Sequence, residues 1–169
     1  MTRHITLSAM FMALSVLFPI LFHAVGLGPF FLPMFWPIAI SLFFLPFGFA
    51  VAVAALSPLI STLITGMPPV SPPIIYIMIA ELTVMAVVAR ALFNSTKLGV
   101  FWVLAAGLVA SRIVLFFMVT VLASLLGLPE AFTSILWVLR GAPGLLMILV
   151  VVPILVRRIS HHSVFMQRR

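Results

Sequence analysis

The chain has few side chains suited to chemistry: two carboxylates, Glu81 and Glu130, no aspartate, no cysteine, and four histidines, His4, His23, His161 and His162. Nucleotide phosphates need a cradle of the form Gly-x-x-x-x-Gly-Lys-Ser/Thr, and none occurs. Metal-assisted phosphoryl transfer needs several carboxylates around magnesium, yet only Glu81 lies within an apolar stretch. An intramembrane protease needs a buried serine beside a histidine, or paired aspartates, whereas every histidine here falls near the end of an apolar run. His161-His162 reads as a solvated tail beside an anionic leaflet rather than as metal ligands. Without cysteine there is no thiolate metal site, nucleophile or disulfide framework. The expectation is a protein that binds rather than catalyses, with no cofactor and no metal.

Three charges lie well inside apolar runs: Glu81, Arg112 and Arg140. A charge in hydrocarbon costs at least about 2.5 to 3.5 kcal/mol on insertion scales, so all three should face protein and find partners. Counted from the outer ends at about 1.5 Å per residue, Glu81 and Arg140 sit roughly 10 to 12 Å deep and Arg112 nearer the midplane. They are therefore expected to form one buried cluster. A structural Glu–Arg ion pair is one reading of it. It leaves an arginine over, and the surplus charge suits either an anionic group on a ligand or ordered water and helix-end carbonyls. Trp36, Tyr76, Trp102 and Trp137 supply stacking surface or an interfacial aromatic belt.

The elements that hold these residues are membrane helices. A soluble domain carries roughly 25% charged residues, whereas this 169-residue chain has 7%, with 65% hydrophobic. The net charge of +7 is too scattered to track a phosphate backbone, which excludes nucleic acid. Gly, Pro and charge divide the sequence into apolar spans at about 5–23, 35–46, 47–66, 74–93, 99–126 and 132–156. The fold class is thus an all-α integral membrane protein, a six-helix bundle forming one domain over 1–169. The second span is short and ends in Leu45-Pro46-Phe47-Gly48, which points to a tilted or broken helix. The apolar run after Arg3 is long and Ala24-Val25-Gly26 is a poor cleavage site, so it is expected to stay as the first span.

Charge orients the bundle. Arg3, Arg90, Lys97, Arg157, Arg158, Arg168 and Arg169 all fall on one side, which the positive-inside rule makes cytoplasmic together with both termini. The opposite loops, 26–34, 66–73 and 127–131, contain no Lys or Arg. The first two, Gly26-Leu27-Gly28-Pro29-Phe30-Phe31-Leu32-Pro33-Met34 and Gly66-Met67-Pro68-Pro69-Val70-Ser71-Pro72-Pro73, are stiff, apolar and non-helical. They read as plain connectors or as lids over an outward-opening pocket. Near the cytoplasmic end of the first span, Ala9 and Ala13 form a small-residue strip where another helix could approach closely. The third span, with Gly48, Ala50, Ala52, Ala54, Ala55 and Ser57, is expected to pack inside the bundle.

These features resemble the substrate-binding S components of energy-coupling factor (ECF) transporters, six-helix vitamin receptors of the prokaryotic cytoplasmic membrane. The resemblance is carried by Thr2 to Ala13 with its Ala-x-x-x-Ala spacing, by His23 to Pro37, by Leu56-Ser57-Pro58 running into Thr65-Gly66-Met67-Pro68-Pro69, and by Ala80-Glu81-Leu82. It covers roughly the first half of the chain; beyond Asn94 only span count and topology match. It implies that Ala9 and Ala13 dock on a transmembrane coupling subunit driven by two cytoplasmic ATPases. It also implies that a vitamin or small metabolite binds beneath the two outer loops. The expected substrate-binding residues are then Glu81, Arg112, Arg140, His23, Phe35, Trp36, Met67, Pro68, Tyr76 and Trp137. Similar sequences read Leu-Pro-Met-His-Ile-Pro where this chain has Leu32-Pro33-Met34-Phe35-Trp36-Pro37, an imidazole replaced by Phe35. One polar contact can decide specificity, so the substrate need not be the same. The competing reading is an autonomous proton-coupled transporter with Glu81 as proton carrier.

Overall fold

The computed structural model describes residues 1–70, 74–122 and 141–162. Helix is the only regular structure among them, and five of the helices are long and apolar enough to cross a membrane. The first, α1 (Thr2–Ala24), ends because Gly26 adopts a left-handed φ of +72°. That conformation lets Gly26 N–H donate to His23 O and Leu27 N–H to Phe22 O, closing the last turn in the two bonds of a Schellman cap. The chain then forms α2 (Gly28–Phe31), opened by Pro29, and the seven-residue α3 (Phe35–Ser41).

Long helices follow. α4 (Phe47–Thr65) starts behind Pro46 and stops at Gly66, φ +73°. Its buried positions Ala50, Val53, Ala54, Ser57 and Ser61 recur at helical spacing and pack inward; of the small residues expected to do so, Gly48 and Ala52 are exposed and Ala55 is half-buried. α5 (Ile74–Ser95) and α6 (Val100–Phe117) form a tight hairpin, and α6 runs on through one π-helical turn, Met118–Leu122. The last described helix is α7 (Ala142–His162).

One span assignment changes and one expectation holds. Phe35–Ser41 continues only as hydrogen-bonded turns to Leu45, so the second span is short and broken, as its Leu45-Pro46-Phe47-Gly48 ending suggested. Eleven residues at about 1.5 Å each reach about 16 Å, half of a hydrocarbon core of about 30 Å. Such a segment avoids lipid because Phe35, Ile38, Ala39, Leu42, Phe43 and Leu45 are all buried among the longer helices. The sixth span, expected from 132, begins as helix at Ala142 and extends past 156 to His162. Pro143 stands in its first turn, where the missing N–H removes no helical bond. Residues 132–140 lie outside the described residues.

Another difference concerns Arg90, assigned from sequence to the flank of a loop. It is buried on α5, and its Nη1 donates to Leu42 O at 3.2 Å while its guanidinium lies 5.2 Å from the Phe93 ring. A cation suits that position because Leu42 O, just past the C-terminal end of α3, is a carbonyl at the negative end of a helix. Phe43 packs edge-on to Phe93 at 5.2 Å beside it. With Phe35 at the opposite end, α3 is a short strut through the middle of the bundle.

Close helix contact at one point sets the register of the α5–α6 hairpin. A Cβ on Gly107 would lie 2.9 Å from Ala89 Cβ and 3.0 Å from Met85 O, which only glycine avoids. In an antiparallel pair this crossing places residues one turn before Met85 opposite those about one turn after Gly107. Glu81 and Arg112 are those residues. Outward-facing side chains such as Leu63, Ile64, Ile113, Phe117 and Leu146 are exposed apolar groups, the surface expected of a protein solvated by lipid.

Candidate functional site

A cavity of about 390 Å³ opens at the end of the bundle where α1 finishes and α5 begins. The volume falls at the small end of the 300–1,000 Å³ typical of ligand pockets. α1 contributes Pro19 and His23, α4 contributes Ser61, α5 contributes Met78 and Glu81, and α6 contributes Arg112 and Leu115. Both outer loops reach it as well, the first, which contrary to expectation contains the helical turn α2, through Gly28, Leu32 and Met34, the second through Met67, Pro68 and Pro69. Those loops are therefore walls of the cavity.

Glu81 is buried, and its Oε1 contacts Arg112 Nη2 in an ion pair. The sequence expectation that these two charges meet is met geometrically. Arg112 also lies over the Phe35 ring, 5.3 Å from its centroid, a cation–π contact. Phe35 thus holds the guanidinium from one side. Arg112 Nε and Ser61 Oγ are buried with no hydrogen-bond partner among the described residues. Buried polar atoms rarely stay unpartnered, and both belong to cavity-lining residues.

His23 faces the cavity under local control. Its Nδ1 lies 2.8 Å from Pro19 O, and because a carbonyl only accepts, Nδ1 carries a proton. In the neutral ring Nε2 is then an acceptor. The imidazole lies against Gly28, where a Cβ would fall 2.5 Å from the ring, so a side chain there would displace it. The second loop is fixed by hydroxyls: Thr62 Oγ1 donates to Pro68 O at 2.8 Å, and Met67 N–H donates to Thr65 Oγ1 at 3.1 Å. Near the start of α7, Gly144 comes against the Phe30 and Phe31 backbone and Gly141 against Leu32, closing the first loop from the far side.

Six of the expected site residues line this cavity: Glu81, Arg112, His23, Phe35, Met67 and Pro68. Two do not. Tyr76 is 58% exposed, because the inward face of α5 runs through Ile77, Glu81 and Met85 and five residues turn Tyr76 well away from Glu81. Trp36, the residue after Phe35, faces another way and donates from Nε1 to Phe31 O at 2.9 Å, which ties α3 to α2. Arg140 and Trp137 lie outside the described residues, as does Glu130, so the third member of the expected cluster is not placed. Ser61, Met78 and Met34 were missed. Ser61 was findable, since it continues the Ala50, Ala54, Ser57 face toward the outer loop.

Ala9 and Ala13 lie on the exposed side of α1, on the same face as Met10, Leu17 and Ile20, away from the cavity. No group of three His, Cys, Asp or Glu side chains that could hold a metal ion occurs among the described residues. The arrangement is one of binding: apolar walls, a paired acid and base, and two further polar atoms turned to one small volume.

Comparison with known proteins gives one family. The profile described as "ECF transporter, substrate-specific component" matches residues 3–156. No curated protein and no solved structure matches the chain.

Proposed function

The chain belongs to the family of ECF transporter substrate-specific components, and from that premise we propose that the cavity under the two proline-rich loops is its substrate site. As such it is a multi-pass membrane protein and a transporter component, not an enzyme. The reading is that of a high-affinity receptor for a vitamin or small metabolite, working in a prokaryotic cytoplasmic membrane with a transmembrane coupling subunit and two ATPases. The observation that carries it is the joint position of Glu81, Arg112, His23 and Ser61 around one apolar-walled cavity. Side chains that serve only to hold helices together would have no reason to converge on a cavity.

Six passes with both termini cytoplasmic complete the reading, α3 counting as the second pass. The cavity then opens outward, and the exposed Ala9 and Ala13 lie toward the cytoplasmic half, where a coupling helix would reach them. Glu81 is engaged by Arg112, so nothing in the site favours a lone carboxylate working as an autonomous proton carrier. The test is affinity purification of the tagged chain from its own membranes in mild detergent. A transmembrane subunit and two ATPases should come with it, and their absence under conditions that preserve other ATP-driven importers would contradict the proposal.

A further inference from the structure

Among the described residues, the polar groups around the cavity do not describe a site for an ion. Glu81 and Arg112 bring one negative and one positive charge in contact, for a sum of zero. A carboxylate approaching Arg112 meets the Glu81 carboxylate beside it, and a cation approaching Glu81 meets the guanidinium. Either ion would lose its hydration without gaining a net counter-charge, which buried sites do not tolerate cheaply. An uncharged group with a donor beside an acceptor faces no such conflict. Its N–H donates to the carboxylate and its carbonyl accepts from the guanidinium, so both bonds are charge-assisted while the total charge remains zero.

The other two polar groups fit the same ligand. His23 is fixed by Pro19 O with Nε2 as an acceptor in the neutral ring, so it calls for a second ligand donor. Ser61 Oγ, on a residue only 1% exposed and with no hydrogen-bond partner among the described residues, can give or take one bond. Arg112 Nε is likewise buried without a hydrogen-bond partner there. Around these groups the walls are Phe35, methionines and prolines. Thioethers are polarisable and adapt to the face of a flat ring.

Resting on the reading that this cavity is the substrate site, we infer that it selects a compact, uncharged heterocycle with an amide-like edge, a lactam or ureide, and discriminates against monoanions. This departs from the expectation that a surplus arginine captures an anion. That expectation depended on Arg140, which precedes the cavity-lining Gly141 in sequence but lies outside the described residues.

The test uses the full chain purified in detergent and freed of carried ligand, with binding read by calorimetric titration. The probes are uracil and hypoxanthine, their N-methylated forms, benzoate, and N-methylpyridinium. A lactam should bind more tightly than either ion, and N-methylation should weaken it by about tenfold or more, the loss expected when buried partners are left unpaired. In Glu81→Gln the uncompensated Arg112 should reverse the order, with benzoate gaining over the lactams. If that variant is not monodisperse, the wild-type series alone decides. Benzoate outranking both lactams on the wild-type protein, N-methylation without effect, or no lactam binding at all overturns the inference. Co-purification of the coupling subunit and ATPases is scored separately, so that a receptor with a different ligand class is told apart from a chain that is no receptor.

Discussion

Arg112 is held by two partners of unequal strength, and this asymmetry predicts a pattern of stabilities. Arg112→Gln leaves Glu81, buried on α5, with no counter-charge among the described residues. Stranding a buried charge costs about 3 to 5 kcal/mol, and the cavity beside the pair places this case near about 3. Glu81→Gln strands Arg112 instead, but the Phe35 ring remains 5.3 Å from the guanidinium. A partly desolvated cation–π contact retains about 1 to 2 kcal/mol, so this variant should lose only about 2. The double variant Glu81→Gln/Arg112→Gln removes both charges and should lie within about 1 kcal/mol of Arg112→Gln, because neutralising the stranded group offsets the second loss. The coupling between the two sites then falls between about 1 and 3 kcal/mol. Reversible unfolding in mixed micelles, followed by tryptophan fluorescence on monodisperse protein, measures all four species. Additivity within about 0.5 kcal/mol, the behaviour of independent sites, would refute the reasoning.

Bulky replacement of the docking pair, Ala9→Trp or Ala13→Trp, should abolish uptake or assembly while leaving ligand titrations unchanged, since both residues are exposed and off the cavity; normal transport by both would remove the docking assignment. Gly107→Leu forces side-chain atoms into the Ala89 and Met85 contact, and should cost about 1 to 3 kcal/mol by overpacking while weakening ligand binding, because the same crossing holds Glu81 against Arg112. Wild-type stability in that variant would contradict the register argument. Gly28→Ala should weaken binding through displacement of the His23 ring with little loss of stability, which titration and melting together would check. Single cysteines introduced into the cysteine-free chain should react with an impermeant thiol reagent from outside at Ser71 and not at Ser95; the reverse pattern would invert the proposed topology.

The pairing of Glu81 with Arg112 was legible in the sequence because a charge inside an apolar run has few ways to survive, and two such charges on consecutive helices satisfy each other. The loops forming the cavity wall were legible for a similar reason, being too apolar for solvent; their expected non-helical backbone holds for Gly-Met-Pro-Pro but not for Gly-Pro-Phe-Phe, which forms α2 because proline suits a first helical turn. Arg90 was not legible. An arginine near a span end looks the same whether it snorkels to water or turns inward to cap a carbonyl, and here the short α3 supplied Leu42 O for it to find. Tyr76 failed because a span-end aromatic is consistent with belt or pocket alike, and only the phase of the α5 face separates them. That the second span is short and broken was legible at Leu45-Pro46, but not where its regular helix ends, because a buried segment need not match the bilayer thickness and hydropathy sets no lower bound on it. Phe35 was singled out as a lost imidazole, but its contact with Arg112 depends on a crossing that no local pattern contains.

The central claim is that this chain binds substrate and relies on a separate ATP-driven module to move it. The most direct measurement reconstitutes the purified chain into proteoliposomes, with and without its co-purifying coupling subunit and ATPases, and follows accumulation of the radiolabelled molecule identified by mass spectrometry of the purified receptor. Accumulation should require the complete module together with ATP on the ATPase side, and should persist when the proton gradient is collapsed. Accumulation by the chain alone, driven by an imposed proton gradient and lost in Glu81→Gln, would contradict the account and make the protein an autonomous transporter.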